Sequence, residues 1–552
     1  MKQKFFATLL GGFLALGCTP NVFGDDGQGS DEGKSIRHVL LISIDGMHAV
    51  DLYNCVHGIS GINGGLQYCP SLAGLASTGA NFTEASTSKP SDSFPGILAL
   101  VAGASPRSAG VYYDVSYTRE LAPPAVFPSV GTCVAGTPGP GTAMVYDETL
   151  DFSLGDLTGG GGINPDKLAL DPMHGCAKVY PRNFVRVNTI FGVLHSHHRY
   201  TAWSDKHPAY DVVRGRTPSG AVNNSVDDLN SPEINSIVVP LAPGVAGFPS
   251  CNPIRDTSDT SAWTNSFQNI QCYDLLKVKI LLNEIDGMKS DGSGPAPVPA
   301  VFGMNFQAVS VGEKLIDANA VIGGYVNPIS DPLGPLGKPS PSLYSEITFV
   351  DAAIGKLVNE LKLKGLDQST MIIISAKHGQ SPIDLSRWTP INTALGRPTK
   401  LLSSLVAGAS EDDVSLLWLK HSTDTITAVT MLEANEAAAG IGEIFAGPSM
   451  KVLFGDPTVD PRVPDIAVQP NVGVIYTGNT SKVAEHGGFA HDDTNVMLLV
   501  SNPQMSPATV TTPVETAQIA PTIVKVLGYD PNELDAVQLE HTQVLPGVRF
   551  PD

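Results

Sequence analysis

The chain has 552 residues, of which 42% are hydrophobic and 16% charged, and its net charge at pH 7 is −20. A chain of this length buries a large core, and length alone allows roughly two to four domains. The acidic balance excludes nucleic acid as a bulk partner and a basic membrane-binding surface, because both need clustered lysine and arginine. An anionic substrate would be repelled at long range, so its binding site needs a local cation or metal ion.

The first residues are typical of an export signal. Two lysines precede an apolar segment of residues 5–17, which is too short to span a bilayer. The residues before Cys18 are close to a bacterial lipoprotein cleavage box, which predicts a lipid anchor there, and ordinary cleavage near Gly24 is the alternative. Residues 1–24 would therefore be the signal and 25–36 a polar tether. We expect an exported protein, either a periplasmic or outer-membrane lipoprotein or a secreted one.

The seven cysteines agree with export. Removing Cys18, by lipidation or with the signal, leaves six, and an even number of cysteines in an exported chain indicates disulfide bonds. Neighbours in the sequence suggest the pairs Cys55–Cys69, Cys133–Cys176 and Cys251–Cys272, although the sequence leaves other connectivities open.

Taken in chain order, the first strong element is a buried strand at Val39 to Ile44. This short run is almost wholly apolar and rich in β-branched residues, as expected for a parallel strand covered on both faces. Asp45 follows where the apolar run stops, and ligands bind at that edge of open α/β sheets. The simpler alternative is an aspartate that starts a turn or caps the next helix.

Later segments alternate between strand and helix patterns. Tyr200 to Trp203 is predicted as a strand, and Asp205-Lys206-His207 follow it. Ser342 to Lys364 carries an apolar stripe at helical spacing, and Thr370 to Ile374 is the next apolar strand. The alternation predicts an α/β fold with a doubly wound, mostly parallel sheet and looped and αβ insertions.

The same alternation of strand and helix patterns predicts the domain limits. Residues 37–384 would form the first part of a catalytic α/β core, and residues 481–552 its C-terminal part. Residues 385–480, with short strand and helix patterns of their own, would be an αβ insertion.

Four loops carry reactive side chains next to apolar strands or helices. They contain Asp45, Ser93, Lys377-His378 and His486. A carboxylate and imidazoles at one sheet edge suit a divalent ion such as zinc. Ser93 opens a helix-like segment, where free N–H groups favour a phosphoryl or sulfuryl oxygen. Taken singly, the serine is better explained as a helix cap and the histidines as loop residues.

Together these loops resemble the alkaline phosphatase superfamily, in its type I phosphodiesterase/nucleotide pyrophosphatase family, over roughly residues 37 to 530. The resemblance rests on Ile42-Ser43-Ile44-Asp45-Gly46, Ser93-Phe94-Pro95, Ser375-Ala376-Lys377-His378-Gly379 and His486-Gly487. It implies a doubly wound fold and two zinc ions that hold a phosphoryl group. It also implies Ser93 as the nucleophile of a covalent phospho-enzyme and Asp45, His378 and His486 as metal ligands.

The chain departs from the family pattern at several ligands. Lys377 stands where the family has an aspartate, and a protonated ammonium cannot bind a metal. The segment that should supply a further aspartate and histidine has Val309 and Glu313, and Gly96 replaces an expected asparagine. We therefore expect one divalent ion, zinc by preference, with Lys377 as a fixed positive charge on the ester oxygens. Lys206 is a second candidate cation, similar in placement to a sulfatase lysine, although a solvated loop is the alternative.

The sequence is compatible with three functions. The preferred one is an exported, metal-dependent hydrolase of phosphoric esters, a phosphodiesterase or nucleotide pyrophosphatase acting on a small anionic phosphoester. A sulfatase-like hydrolase is disfavoured because Ser93-Phe94-Pro95-Gly96 is not followed by the arginine that sulfatases need. The third is a catalytically degenerate surface protein that binds an anion or another ligand with the same fold, as the changes at Val309, Glu313 and Lys377 suggest.

Overall fold

The structure is a computed structural model, which describes residues 36–125, 133–159, 161–216, 225–236, 244–251, 254–258, 262–326, 336–392, 396–477 and 481–548. The predicted export signal, Cys18 and nearly all of the tether lie outside these residues. Among the helices that are described, none has the length and apolar character needed to cross a membrane.

A central sheet of eight strands organises the chain. In chain order its strands are β1 (His38–Ile44), β2 (Gly79–Phe82), β3 (Ala202–Ser204), β4 (Asp228–Asn230), β5 (Val301–Phe306), β6 (Thr370–Ser375), β11 (Leu499–Ser501) and β12 (Ala508–Val510). Across the sheet they lie in the order β12–β2–β11–β6–β1–β5–β3–β4. All neighbours are parallel except β11, which runs antiparallel to both β6 and β2.

Helices lie on both faces of this sheet. The longer helices of the described residues, including two that belong to a second sheet, are α1 (Ala49–His57), α2 (Pro70–Ala76), α3 (Ser93–Ala102), α4 (Ile190–Ser196), α5 (Phe267–Ile285), α6 (Ala308–Lys314), α7 (Pro341–Leu363), α8 (Thr425–Glu433), α9 (Pro448–Leu453), α10 (Ile519–Val526) and α11 (Asp535–Glu540). Successive side chains of β1 enter opposite layers: Val39 and Leu41 pack in one hydrophobic cluster, and Leu40 and Ile42 in the other. Burial on both faces explains why the strand is apolar from Val39 to Ile42.

The predicted doubly wound, mostly parallel α/β fold is confirmed. The strand predicted at Val39 to Ile44 and the helix predicted at Ser342 to Lys364 agree with the observed elements to within a residue. Other limits differ more. The strand predicted at Tyr200 to Trp203 lies at Ala202–Ser204, so that it starts two residues later.

A second sheet lies in the segment predicted as an insertion. Its four antiparallel strands are β7 (Val406–Glu411), β8 (Ser415–Leu419), β9 (Ile441–Ala446) and β10 (Ile466–Pro470), in the order β7–β8–β10–β9. Helices α8 and α9 belong to the same segment. The assignment of domain limits at residues 384 and 480 stays a prediction.

The three predicted disulfide pairs are present. Cys55 is joined to Cys69, Cys133 to Cys176 and Cys251 to Cys272. The first ties α1 to the start of α2.

Candidate active site

The parallel strands bring four loops to one edge of the sheet. β1 pairs with both β5 and β6, and β5 pairs with β3, so their carboxyl ends meet. Asp45 follows β1, Lys377 follows β6, Lys206 follows β3 and Gln307 follows β5. This is the edge at which α/β sheets bind ligands, and it carries three of the predicted site residues.

Ser93 lies at the start of α3 and faces this edge. Asp92 caps the helix, because its carboxylate accepts hydrogen bonds from the backbone N–H of Ser93 at 2.6 Å and of Phe94 at 3.4 Å. Ser93 is thus the first helical residue, which leaves its hydroxyl free for other partners. The Nζ atom of Lys206 donates a hydrogen bond to the Ser93 Oγ atom at 3.1 Å.

Gly96 explains how α3 approaches the Lys377 loop so closely. A Cβ atom at this position would lie 2.1 Å from the Lys377 carbonyl oxygen. The asparagine expected there from the family resemblance cannot be accommodated in this packing. Its replacement by glycine therefore brings the Ser93 turn and the Lys377 loop into backbone contact.

Asp45 is buried and surrounded by hydrogen-bond donors. Its Oδ2 atom accepts from Gln307 Nε2 at 2.7 Å and from Asn305 Nδ2 at 3.2 Å. The ammonium nitrogens of Lys377 and Lys206 lie 3.4 and 3.7 Å from the same oxygen. Burial by itself would raise the pKa of Asp45, but these lysines and a nearby imidazole hold it well below the usual value.

Lys377 is completely buried in a polar cage. Its Nζ atom lies 3.3 Å from Asp205 Oδ1, and it donates a hydrogen bond to the Tyr210 hydroxyl at 2.8 Å. The ammonium also lies 4.3 Å from the centre of the Tyr210 ring, within the range of a cation–π contact. Burial lowers the pKa of Lys377, although Asp205 and Asp45 act in the opposite direction.

Lys206 differs from Lys377 in both exposure and charge. Its side chain is 15% exposed, whereas that of Lys377 is inaccessible. Burial would lower the pKa of Lys206, but Asp45 and Asp205 raise it above its ordinary value. Lys206 therefore carries a stable positive charge beside the Ser93 hydroxyl.

The two predicted histidines lie together next to Asp45. The Nε2 atom of His378 is 3.5 Å from Asp45 Oδ2, and the rings of His378 and His486 lie 4.1 Å apart. Burial lowers the pKa of both, so both rings are neutral at ordinary pH. His486 Nδ1 lies 3.8 Å from Asp92 Oδ2 and has no hydrogen-bond partner among the residues described.

The described residues contain one group that could hold a metal ion, and it is not the predicted one. His48, Asp51 and Glu313 offer ligand atoms within 4.8 Å of one another. His48 Nδ1 lies 3.1 Å from Asp51 Oδ2 and 3.3 Å from Glu313 Oε1, and the Tyr325 hydroxyl donates to Glu313 at 2.9 Å. Glu313, where the family resemblance expects a histidine, therefore contacts His48.

The surroundings of Asp45 do not fit a divalent ion. Two amide N–H donors, from Gln307 and Asn305, already occupy the oxygen that would bind it. The ammonium groups of Lys206 and Lys377 add positive charge within 4 Å of that oxygen. A metal-binding oxygen needs a free lone pair and an excess of negative charge around it, and Oδ2 of Asp45 has neither.

The structure brings together the six side chains expected at the site: Asp45, Ser93, Lys206, Lys377, His378 and His486. Their roles stay predictions. Sequence reasoning missed Asn305, Gln307 and Tyr210, which complete the surroundings of Asp45 and Lys377. A signal was available for the amides, since they flank the end of an apolar strand as Asp45 does.

A cavity of about 840 Å³ lies behind the Lys206 loop. Pro208 and Asp211 line it on one side, and the Cys251–Cys272 disulfide and α5 on the other. Neither Ser93 nor Asp45 contributes to its lining, so it is separate from the clustered polar residues.

Comparison with known proteins finds one matching family and several similar solved structures. The family described as type I phosphodiesterase/nucleotide pyrophosphatase matches residues 39–132 and 324–492. Wild-type alkaline phosphatase PafA is 13% identical with a TM-score of 0.53, over 89% of this chain and 96% of its own. Murine ectonucleotide pyrophosphatase/phosphodiesterase 5, solved in complex with AMP, is 12% identical with a TM-score of 0.49, over 90% of this chain and 96% of its own. No curated protein sequence matches this chain.

Proposed function

We propose that the chain is a member of the alkaline phosphatase superfamily and that it hydrolyses phosphoric esters, with phosphodiesters and the pyrophosphate bonds of nucleotides as its substrate class. The observation that carries the proposal is the 3.1 Å hydrogen bond from Lys206 to the Ser93 hydroxyl. It joins a nucleophile at the start of a helix to a fixed cation. That combination suits attack on an anionic phosphorus centre.

In the proposed reaction Ser93 Oγ attacks phosphorus and forms a covalent phosphoserine. The ester oxygen leaves, and water then attacks the phosphoserine and releases the acid product. Lys206 stabilises the negative charge that develops on the transferring oxygens, because its ammonium stays protonated and already touches the attacking atom. Lys377 lies deeper and contributes through Asp45, Asp205 and Tyr210.

The type I phosphodiesterase family, which this chain resembles, is typically metal-dependent. Where such an ion is bound, it stabilises charge on the transferring oxygens and lowers the pKa of a bound hydroxyl. The expectation that Asp45, His378 and His486 hold one zinc ion stays a prediction, and the amide and ammonium donors around Asp45 count against it. The group of His48, Asp51 and Glu313 is the better-formed candidate for an ion.

A binding protein without turnover is the second candidate. The ammonium of Lys377 beside Asp45 favours it, since a family metal carboxylate is absent. In that case Lys206 and Lys377 would form an anion pocket, and Ser93 would be unreactive. The two candidates differ in one property that is simple to measure, the release of product from a phosphodiester.

We also infer export, with a signal or lipid anchor before the described residues. Three disulfide bonds support it, because such bonds persist in oxidising compartments. Cell fractionation with a thiol assay of the mature chain tests this: six oxidised cysteines are expected outside the cytoplasm, and six free thiols in the cytoplasm would contradict it.

The proposal is tested with bis-p-nitrophenyl phosphate, p-nitrophenyl phosphate and p-nitrophenyl sulfate as substrates. We expect the phosphodiester to be cleaved fastest and Ser93→Ala to lower that rate on the order of 10³-fold or more while the protein stays folded. Ser108→Ala, which removes a hydroxyl on a neighbouring turn, is the control. Absence of turnover of all three esters by the native protein, with or without added zinc, favours the binding protein.

A further inference from the structure

His48, Asp51, Glu313 and Tyr325 form a buried polar group where the segments that follow β1 and β5 meet. His48 immediately precedes α1 and Asp51 lies in its first turn, whereas Glu313 is on α6 and Tyr325 follows that helix. All four side chains are buried, and the most exposed, Tyr325, is 4% accessible. The group therefore connects two parts of the chain that are far apart in sequence.

The polar atoms of this group are evenly spaced. His48 Nδ1 lies 3.1 Å from Asp51 Oδ2 and 3.3 Å from Glu313 Oε1. The Tyr325 hydroxyl lies 3.0 Å from Asp51 Oδ2 and 2.9 Å from both Glu313 Oε1 and the imidazole nitrogen. Four ligands about 2.0 Å from a tetrahedral zinc ion are about 3.3 Å apart, so these separations match such a shell to within a few tenths of an ångström.

The contacts outnumber the protons that could make them hydrogen bonds. Carboxylates only accept, and the Tyr325 hydroxyl has one proton for two carboxylates and an imidazole nitrogen. The backbone N–H of His48 donates to Asp51 Oδ2 at 2.9 Å. Among the described residues, no lysine or arginine forms an ion pair with Asp51 or Glu313. Two buried negative charges without such a partner need a cation between them.

The imidazole of His48 presents a lone pair to this group. Its Nε2 atom lies 2.9 Å from the carbonyl oxygen of Gln380 and 2.8 Å from that of Asp492, so it donates its proton to them. The backbone N–H of Gln380 also approaches Nε2, at 3.1 Å, but both carbonyl oxygens are nearer. With the proton on Nε2, Nδ1 is free to bind a metal ion. A ring whose other nitrogen donates to a backbone carbonyl is the usual arrangement of a metal-binding histidine.

Two further buried oxygens show the same excess of acceptors. Glu313 Oε2 and Gln380 Oε1 have no hydrogen-bond partner in the part of the chain that the structure describes. Both lie within 3.2 Å of the point that a Cβ atom on Gly46 would occupy. The Gln380 amide is held in this direction because its Nε2 atom donates to the Ser310 carbonyl oxygen at 3.2 Å. An unpartnered amide oxygen thus faces the carboxylate of Glu313 from a third segment of the chain.

We propose that His48, Asp51, Glu313 and Tyr325 bind one structural zinc ion. One imidazole nitrogen, two carboxylate oxygens and a phenol oxygen at these spacings suit zinc, and the two carboxylates balance its charge. The contrast with Asp45 is one of charge, because that carboxylate faces two ammonium groups. The inference goes beyond ester hydrolysis, since it concerns how α1 and α6 are held and not the nucleophile.

The zinc ion has a structural role because its ligands come from distant segments. His48 and Tyr325 lie 277 positions apart in the chain. The Nε2 proton of His48 also links the group to Gln380, which follows β6. Because the unfolded chain has no such site, the free energy of zinc binding stabilises the fold. The ion thereby holds the segments after β1, β5 and β6 in one arrangement.

The first test uses the full mature native chain, dialysed against zinc and then freed of excess ion. Elemental analysis gives the number of ions per chain, and X-ray absorption at the zinc edge gives the number of imidazole ligands. We expect about one zinc ion with one imidazole and three oxygens. Two imidazoles would place the ion at Asp45, His378 and His486 and overturn the inference. A chain that retains no zinc would mean that a proton on His48 balances the carboxylates, which also overturns it.

The second test compares variants that keep the shape of the side chain. We expect Glu313→Gln and Asp51→Asn to lower the affinity for zinc by at least about a hundredfold, since each removes a ligand charge. Glu284→Gln, at a buried position of α5, is the matched control and should leave it within about twofold. His486→Gln should retain the ion. Loss of zinc from His486→Gln together with its retention by Glu313→Gln overturns the inference.

The melting temperature tests the structural role. Incubation with a chelator should lower it by several degrees in the native protein and leave Glu313→Gln unchanged, whereas an unchanged native protein contradicts that role. Circular dichroism establishes that each variant is folded, and the X-ray absorption of the native chain decides the matter if the variants do not fold. Hydrolysis is measured separately: bound zinc of this type without hydrolysis overturns only the proposed function, and hydrolysis without it overturns only this inference.

Discussion

The Nζ atom of Lys377 lies 3.4 Å from the Oδ2 atom of Asp45, at the adjoining carboxyl ends of two parallel strands. The family resemblance places two metal-binding carboxylates at these positions. Here a carboxylate faces an ammonium, so the pair is neutral before any ligand arrives. The charge of this site is therefore arranged differently from that of a two-zinc centre.

Replacing Lys377 by aspartate should create affinity for a divalent ion. Lys377→Asp removes an ammonium and adds a carboxylate beside Asp45 and His378, which restores three potential zinc ligands. We expect bound zinc to increase by about one ion per chain, measured by elemental analysis after dialysis against zinc. Lys362→Asp, on the exposed face of α7, is the matched control. Equal zinc binding by the two variants would mean that residue 377 does not face the metal position.

The site should prefer an ester with a single negative charge. Lys206 and Lys377 carry two positive charges, and Asp45 and Asp205 balance them within 4 Å. A phosphodiester brings one negative charge at neutral pH and a phosphomonoester brings nearly two, and a site whose own charges already balance should bind the more highly charged ester less well. We expect kcat/KM for bis-p-nitrophenyl phosphate to exceed that for p-nitrophenyl phosphate by roughly tenfold or more, about 1.4 kcal/mol. A preference for the monoester would contradict this charge balance.

Glu284 should make the protein less stable as the pH rises. Both its carboxylate oxygens are buried on α5 without a hydrogen-bond partner among the residues described, and burial raises its pKa well above 4.5. The folded state therefore keeps a proton that the unfolded chain releases above about pH 4.5, so the free energy of unfolding falls as pH rises beyond that value. Glu284→Gln removes this dependence.

Denaturant unfolding at about pH 5 and about pH 8 tests the prediction for Glu284. Glu284→Gln should gain stability relative to the native protein at the higher pH and change little at the lower one. Glu443→Gln, at an exposed position of β9, is the control and should show no such difference. An equal effect of Glu284→Gln at both pH values would mean that the buried carboxyl does not retain its proton.

The Cys55–Cys69 disulfide should contribute to the stability of the first βα unit. It closes a loop with a sequence separation of 14 residues, for which loss of the cross-link costs about 3 kcal/mol. We expect the paired substitutions Cys55→Ser and Cys69→Ser to lower the free energy of unfolding by about that amount in denaturant melts under oxidising conditions. Under reducing conditions the native protein and the variant should unfold alike; a difference that persists there would point to lost packing.

The backbone positions of the site residues could be predicted from sequence because the end of each apolar run marks the end of a strand. The apolar run from Val39 to Ile44 stops at Asp45, and the run from Thr370 stops before Lys377. Parallel pairing then brings those ends together. Ser93 could be placed at a helix start because it opens a segment of helical composition, although its neighbour Asp92 proved to be the capping residue.

The direction of individual side chains could not be predicted in this way. Asn305, in β5, and Gln307, directly after it, both reach Asp45 across some 260 positions of the chain. Their place at the end of an apolar strand is visible in the sequence, but the direction of their side chains is not. Tyr210 lies in a 3-10 turn whose orientation depends on the Phe94 ring beside it. Glu313 turns toward His48 because that imidazole and the Tyr325 hydroxyl stabilise its buried carboxylate, a preference set entirely by tertiary contacts.

Hydrolysis of bis-p-nitrophenyl phosphate by the chelated native protein and by Ser93→Ala, with metal content measured in the same samples, tests the central claim most directly. The account predicts turnover by the native protein, its loss in Ser93→Ala, and a phosphorylated Ser93 in the quenched reaction. No hydrolysis by the native protein, either metal-free or supplied with zinc, would contradict it.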